Sequence, residues 1–160
     1  METIFNMSEI DIEVENKEIV KRYKALLRSC NGDITREDKK LIRKAFNLAV
    51  EAHKDVRRKS GEPYIFHPIA VAQIVAKDIG LGATSIACAL LHDVVEDTEY
   101  TLEDIERMFN PKIRQIIDGL TKITDLAEQD ISIQAENFRK MLLTLSDDVR
   151  VILIKLADRL

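Results

Sequence analysis

The 160-residue sequence is poor in chain-breaking residues, with only 5 Gly and 3 Pro spread over its length. Because glycine and proline interrupt helices and mark the turns between short strands, their scarcity favours long helices. Sustained alternation of polar and apolar residues is also missing, and nearly every segment has helical periodicity. The sequence therefore predicts an all-α fold with a single core.

Other absences narrow the class of protein. The 2 Cys, Cys30 and Cys88, are far apart, which argues against a disulfide framework or a zinc site and suits a cytoplasmic protein. The apolar runs are too short to cross a bilayer, and residues 1–16 lack the features of a signal peptide. A net charge of −4 argues against general DNA or RNA binding. An anionic substrate would therefore need a local basic patch.

The chain divides into a polar segment, residues 1–14, that is expected to fray, and one domain, residues 15–160. The first helix is marked by an apolar stripe of Val20, Tyr23, Leu26 and Leu27, and the helix from Pro111 by one of Ile113, Ile116, Ile117 and Leu120. Thr35 followed by Asp38 resembles a capping box at the second helix. Leu126–Asp130 is predicted as a loop. Helices are predicted over Glu15–Cys30, from Thr35 to about Lys59, from Pro68 to Gly80, from Thr84 through His92-Asp93, from Thr101, from Pro111, over Ile133–Leu145 and over Asp147–Leu160.

A cluster of ionisable residues at positions 92–97, with the sequence HDVVED, contains one imidazole and three carboxylates. His92 and Glu96 are four positions apart, as are Asp93 and Asp97, so each pair can share a helix face. Neighbouring carboxylates repel each other, and a bound divalent cation would offset that charge. The alternative is a solvated, charged helix end, although acidic groups near a helix C-terminus are disfavoured by the helix dipole.

Asp158 is a second candidate metal ligand. It follows Val151 and Ile154 on one helical stripe, which directs its carboxylate towards the interior. A buried carboxylate needs a partner or a metal. The alternative is an ordinary ion pair with Lys155 or Arg159.

His67 is a third candidate, because it lies at the start of a predicted helix next to Pro68. The alternative is a capping or surface histidine. His53 competes for the same role, but its mid-helix position among charged residues predicts a non-ligand. His67, His92, Asp93 and Asp158 together give the ordered pattern H…HD…D. Two imidazoles and two carboxylates suit a divalent ion, with Mn²⁺, Fe²⁺, Mg²⁺ and Zn²⁺ all compatible.

Longer segments resemble the RelA/SpoT homologues, whose N-terminal hydrolase domain is an HD-type helical bundle. Residues 58–68 (RKSGEPYIFHP) resemble the RKSGEPYI-x-HP segment of that family, and residues 91–98 (LHDVVEDT) resemble its LHDVVEDT segment. Further similar segments are DGLTK at 118–122, NFRKML at 137–142 and RVILIKLADRL at 150–160. The resemblance runs from about residue 45 to residue 160.

This resemblance implies Mn²⁺-dependent hydrolysis of ppGpp and pppGpp to GDP or GTP plus pyrophosphate, in control of the stringent response. It assigns the metal to His67, His92, Asp93 and Asp158. It assigns the attacking water to Glu96 and Asp97, without saying which of the two dominates, and the guanosine nucleotide to Arg58, Lys59 and Ser60. Lys54, Arg57, Arg58 and Lys59 would supply the local basic patch at the end of the second helix, and the alternative is a solvated basic helix end. Tyr64 would flank the base or simply pack.

The family pattern continues beyond Leu160 into a nucleotide-contacting segment, so the chain is expected to be a C-terminally truncated hydrolase domain whose own activity is open. Two alternatives remain. One is an HD-type phosphohydrolase that acts on another nucleotide. The other is a catalytically silent regulatory domain or fragment. The sequence does not predict the oligomeric state.

Overall fold

The computed structural model describes residues 9–30, 32, 34–127 and 148–160. The described part is helical and contains no β-strand, which confirms the all-α prediction. No helix in these ranges combines the length and apolar composition needed to cross a membrane. The helices are α1 Glu9–Ser29, α2 Arg36–Ala52, α3 Phe66–Gln73, α4 Ala83–Leu91, α5 Val94–Asp97, α6 Leu102–Met108, α7 Pro111–Ala127 and α8 Val149–Arg159, and a π-helical segment, Ile74–Ile79, continues α3.

Two helices begin with a reciprocal capping box. At α2, Asp38 N–H donates to Thr35 Oγ1 over 3.0 Å, and Thr35 N–H donates to the Asp38 carboxylate over 3.2 Å. Thr101 and Asp104 repeat this arrangement at α6. The capping box predicted at Thr35 is thus confirmed, and each cap stabilises its helix by about 1 kcal/mol.

Helix α1 begins at Glu9, six residues before the predicted Glu15, so part of the segment expected to fray is helical. Tyr23 and Leu26 are buried, as predicted. Val20, however, is 46% exposed, and its predicted place in the apolar stripe is wrong. The helix is rotated so that Tyr23 stacks on Phe46 of α2, which leaves Val20 on the outer side.

Helix α2 ends at Ala52 instead of continuing to Lys59. The chain leaves helical geometry at His53, with φ −106° and ψ 13°, and residues 54–65 form a compact loop. The loop is closed by an isolated bridge between Arg57 and Pro63. Gly61, at φ +91°, permits a turn that a residue with a side chain would strain.

Helix α4 is the centre of the core, since every residue from Ser85 to Leu91 is buried. Helices α2, α3, α7 and α8 all contact it. Helix α3 begins at Phe66, two residues before Pro68, so the proline occupies the first turn, where a backbone N–H has no helical partner anyway. The π-helical segment ends at Ile79 and is capped by Gly80, with φ +80°, so the helix stops near the glycine where the sequence predicted its end.

Helix α7 lies with its predicted apolar stripe inward: Ile113, Ile116, Ile117 and Leu120 are all buried. It continues to Ala127, so the predicted loop is wrong for residues 126–127, and residues 128–130 lie outside the described part. The helix predicted at Ile133–Leu145 also lies outside it. Helix α8 begins at Val149, capped by Asp148, two residues after the predicted start. It contacts α3, α4 and α7, which brings the C-terminal helix against the centre of the fold.

Candidate metal centre

Four predicted ligands come from separate parts of the chain and meet at one place. His67 lies in the first turn of α3, His92 follows the last residue of α4, Asp93 precedes α5, and Asp158 lies in the last turn of α8. The packing of α8 on α3 and α4 brings the C-terminal carboxylate to the two histidines.

The donor atoms of His67, His92 and Asp93 all lie within 4.8 Å of one another, and Asp158 contacts both histidines. His67 Nε2 is 2.8 Å and His92 Nε2 is 3.2 Å from Asp158 Oδ1. Asp93 Oδ2 lies 2.9 Å from His92 Nε2 and 4.0 Å from His67 Nε2. An ion that holds its donors at about 2.1 Å places neighbouring donors about 3 Å apart. His67, His92 and Asp93 therefore form a donor set that fits a divalent ion, and Asp158 adjoins it through its contacts with both histidines.

The chain bends between His92 and Asp93, which aims both side chains at the same point. The prediction that one helix carries both residues is wrong, because α4 ends at Leu91 and α5 begins at Val94. His92 is buried, and its Nδ1 lies 2.6 Å from the carbonyl oxygen of Ala89. Donation from Nδ1–H to that carbonyl fixes the ring and leaves Nε2 facing the candidate site.

The charges in this cluster are tightly coupled. Burial alone would lower the pKa of His92, but hydrogen bonds to the carboxylates of Asp158 and Asp93 outweigh it and raise the pKa to about 10. Burial likewise opposes ionisation of Asp158, yet hydrogen bonds from His67 and His92 hold its pKa well below the usual range. The imidazolium thus supplies the positive charge that these carboxylates require, a charge that a divalent ion would also supply.

Glu96 and Asp97 lie on α5, directly after Asp93. Burial and the negative charge of Asp93 raise the pKa of both carboxyls. Raised pKa values favour proton exchange closer to neutral pH than an ordinary exposed carboxyl allows. Tyr64 partly offsets the rise in the pKa of Asp97, and Thr124 partly offsets that of Glu96.

Tyr64 has a contact that the sequence did not reveal. Its hydroxyl donates a hydrogen bond to Asp93 Oδ2. Its ring lies between two histidines, with centroids 4.8 Å from His53 and 5.9 Å from His67. The position of Tyr64 three residues before His67, at the end of the loop, was the available signal, but it could not indicate a contact with a residue 29 positions away.

Arg58, Lys59 and Ser60 lie in the loop after α2, and all three are exposed. Backbone bonds across the turn, Arg58 N–H to Glu62 O over 3.0 Å and Gly61 N–H to Arg58 O over 2.8 Å, hold this loop. The structure therefore presents the three predicted nucleotide-binding side chains to solvent.

The basic patch predicted at the end of α2 is divided by local ion pairs. Arg57 contacts the Glu15 carboxylate at 3.1 Å and donates to Gly61 O over 2.8 Å, and Lys54 pairs with Glu51 at 3.2 Å. These contacts attach the loop to α1 and α2. Arg58 and Lys59 are the members of the patch for which the structure shows no such ion pair within the described residues.

His53 does not belong to the donor cluster found among the described residues, which comprises His67, His92 and Asp93. Its mid-helix position was predicted wrongly, since it caps the C-terminus of α2. The side chain is 2% exposed, and neither ring nitrogen has a hydrogen-bond partner in the described part of the chain. Burial lowers the pKa of His53, so the imidazole is held neutral.

The fold and the cluster define an all-α domain with the side-chain set of a divalent-metal centre. The chain belongs to the HD-domain family, whose family model, described as HD domain, matches residues 45–160. Within that family it is similar to the RelA/SpoT homologues, which confirms the resemblance drawn from the sequence.

Curated relatives support this placement. The chain is 48% identical over 122 residues to GTP pyrophosphokinase rsh of Brucella melitensis, a match that covers 75% of this chain and 16% of that protein. It is 47% identical over 121 residues to the bifunctional (p)ppGpp synthase/hydrolase SpoT of Escherichia coli, covering 75% of this chain and 17% of SpoT. The chain thus spans about a sixth of the length of these relatives.

A solved structure has the same fold. It belongs to a metazoan ortholog of SpoT described as hydrolyzing ppGpp, and it matches with a TM-score of 0.55 and 28% identity. The match covers 74% of this chain and 65% of that one. The all-α HD fold is therefore shared with a protein that acts on ppGpp.

Proposed function

We propose that this chain is a metal-dependent hydrolase domain that removes the 3′-pyrophosphate from ppGpp and pppGpp, with GDP or GTP and pyrophosphate as products. The observation that carries the proposal is the convergence of His67, His92, Asp93 and Asp158 on one point. The choice of ppGpp as substrate is supported by the SpoT relative, named a (p)ppGpp synthase/hydrolase, and by the metazoan structure, described as hydrolyzing ppGpp. The proposal includes a cytoplasmic location and a role in control of the stringent response.

The four convergent side chains would hold the ion, for which we propose Mn²⁺. Such an ion polarises phosphate oxygens and lowers the pKa of water. Glu96 and Asp97, with their raised pKa values, orient the attacking water and accept its proton. Arg58 forks to phosphate or stacks on the guanine, while Lys59 and Ser60 bind phosphate oxygens.

The experiment is pyrophosphate release from ppGpp by this chain with Mn²⁺ and after chelation. We expect release only with Mn²⁺, and a loss of at least about a hundredfold in Asp93→Ala, because removal of a ligand prevents metal-assisted chemistry. Asp78→Ala, an exposed carboxylate on the π-helical segment, is the matched control and keeps full activity. Equal rates in the chain and in Asp93→Ala would contradict the proposal.

Two further outcomes separate the alternatives. Metal-dependent release of phosphate from another nucleotide, with ppGpp left intact, would indicate a different HD-type phosphohydrolase. Binding of Mn²⁺ with no turnover of any nucleotide would indicate a catalytically silent domain.

A further inference from the structure

Lys155 cross-links α8 to α7 immediately beside the candidate metal centre. Its Nζ donates to Asp158 Oδ2 over 3.1 Å and to Thr124 Oγ1 over 3.0 Å. The side chain is only 17% exposed, so the ammonium is held among fixed partners instead of extending into solvent. A lysine in such a position differs from the surface lysines of the chain, for example Lys122, which is 65% exposed.

The two oxygens of the Asp158 carboxylate have different partners. Oδ1 faces the two histidines, at 2.8 Å from His67 Nε2 and 3.2 Å from His92 Nε2. Oδ2 faces Lys155. A carboxylate with one oxygen fixed in this way cannot rotate the other away from the candidate site without breaking a charge-assisted hydrogen bond.

Thr124 extends the connection to α7. Its hydroxyl oxygen accepts from Lys155 over 3.0 Å, and its hydroxyl donates to the carbonyl oxygen of Leu120, one turn earlier in α7, over 3.1 Å. Lys155 therefore joins Asp158 to Thr124, two residues that are 34 positions apart in the sequence.

We propose that Lys155, held in place by Thr124, is a positioning residue that orients Asp158 towards the metal. The inference rests on the proposed function, because it assumes that Asp158 is a ligand. Partners that orient the ligands of a metal commonly change its affinity or the activity by 10- to 100-fold when removed.

The direction in which the Mn²⁺ affinity changes when Lys155 is replaced distinguishes positioning from a simple charge effect. The ammonium of Lys155 lies next to a proposed ligand, so its positive charge repels a divalent cation. If charge alone mattered, its removal would tighten Mn²⁺ binding. If Lys155 positions Asp158, its removal weakens Mn²⁺ binding despite the lost repulsion.

The first test is calorimetric titration of Mn²⁺ into the full chain and its variants. We expect Lys155→Met to raise the Mn²⁺ Kd about tenfold, and Lys155→Arg, which keeps a charged donor, to stay within about threefold of the unaltered chain. Lys122→Met on the surface of α7 removes the same charge and leaves the Kd unchanged. A Kd that is unchanged or lower in Lys155→Met would overturn the proposal.

The second test examines the Thr124 connection by the same titration. Thr124→Val removes the hydroxyl with little change in shape, and we expect the Mn²⁺ Kd to rise about fivefold, because Lys155 then loses one of its two fixed partners and orients Asp158 less well. Thr121→Val is the matched control, since Thr121 makes the same bond to the residue four positions earlier on α7. Equal Kd values in the two variants would contradict the role of Thr124.

The two tests also separate this inference from the proposed function. If the unaltered chain binds Mn²⁺ but releases no pyrophosphate, the proposed function fails, while the affinity series still decides whether Lys155 orients Asp158. If the unaltered chain binds no Mn²⁺, both fail. Lys155→Arg keeps the first test decisive even if Lys155→Met does not fold.

Discussion

The hydroxyl of Tyr64 donates a hydrogen bond to Asp93 Oδ2, the same oxygen that lies 2.9 Å from His92 Nε2. A loop residue thus contacts the carboxylate that follows α4. Because Asp93 lies at a bend between two helices, its side chain depends on outside contacts for its orientation. Burial and the hydrogen bond to Asp93 raise the pKa of Tyr64, so its hydroxyl remains a donor throughout the physiological range.

Removal of this hydroxyl should weaken the metal centre. In Tyr64→Phe, Asp93 loses one fixed partner, and we expect the Mn²⁺ Kd to rise about tenfold with the fold intact. Calorimetric titration gives the Kd, and circular dichroism checks the fold. Tyr23→Phe is the control, since Tyr23 is buried against Phe46 in another part of the core. An equal Kd in both variants would show that Tyr64 only packs.

Helical periodicity correctly predicted the helices that bury one apolar face and expose the other. Helix α7 illustrates this, because its four apolar residues, spaced for one face, are all buried. The end of α2 was predicted wrongly because no glycine or proline stands between Ala52 and Lys59. There the helix ends because backbone hydrogen bonds across the loop, such as Tyr64 N–H to Val56 O, replace helical ones.

The candidate site also has a part that the sequence predicts and a part that only the structure reveals. His67, His92, Asp93 and Asp158 could be chosen from the sequence because metal ligands require few residue types, and the structure brings them together. The ion pair of Lys155 with Asp158 was one of the alternatives that the sequence offered, and the structure contains it. The contacts of Tyr64 with Asp93 and of Lys155 with Thr124 could not be chosen, since tyrosine and lysine serve many purposes and these partners are distant in sequence. Only the packing of α8 against α7 and of the loop against α4 determines them.

Metal binding should release protons. With a pKa of about 10, His92 is protonated at pH 8 in the metal-free protein, and a ligand must give up that proton. We therefore expect about one proton released by His92 per Mn²⁺ bound at pH 8, and an Mn²⁺ affinity that rises about tenfold per pH unit between pH 7 and pH 8.5. Titration calorimetry in two buffers of different ionisation enthalpy counts the protons. An enthalpy that is independent of the buffer would contradict this assignment.

Nucleotide binding should be separable from metal binding. Arg58 is exposed in the loop after α2, and no contact joins it to the candidate ligands among the described residues. In Arg58→Ala, we expect the KM for ppGpp to rise about tenfold, the loss of roughly one charge-assisted contact, with the Mn²⁺ Kd unchanged. Lys40→Ala, which removes an exposed charge paired with Glu37 on α2, is the control. A change in Mn²⁺ affinity without a change in KM would move Arg58 out of the proposed nucleotide site.

Substitution of His53 should stabilise the protein, most strongly in acid. The ring is buried without a hydrogen-bond partner among the described residues, and an unpaired buried polar group costs about 1–3 kcal/mol. His53→Leu removes that cost and keeps a side chain of similar volume, so we expect a higher free energy of unfolding at pH 7, by about 1 kcal/mol after the loss of the ring contact with Tyr64.

The pH dependence of this difference follows from linkage. Burial lowers the pKa of His53 from 6.5, so below pH 6.5 the unfolded chain binds a proton that the folded chain resists. The unaltered protein therefore loses stability through this group as the pH falls below 6.5, and His53→Leu does not. Because His67 and His92 are present in both proteins, their contributions cancel in the difference. Chemical denaturation of both metal-free proteins at pH 8, 6.5 and 5 measures it. A stability difference that stays constant or shrinks towards pH 5 would show that His53 is protonated in the folded chain.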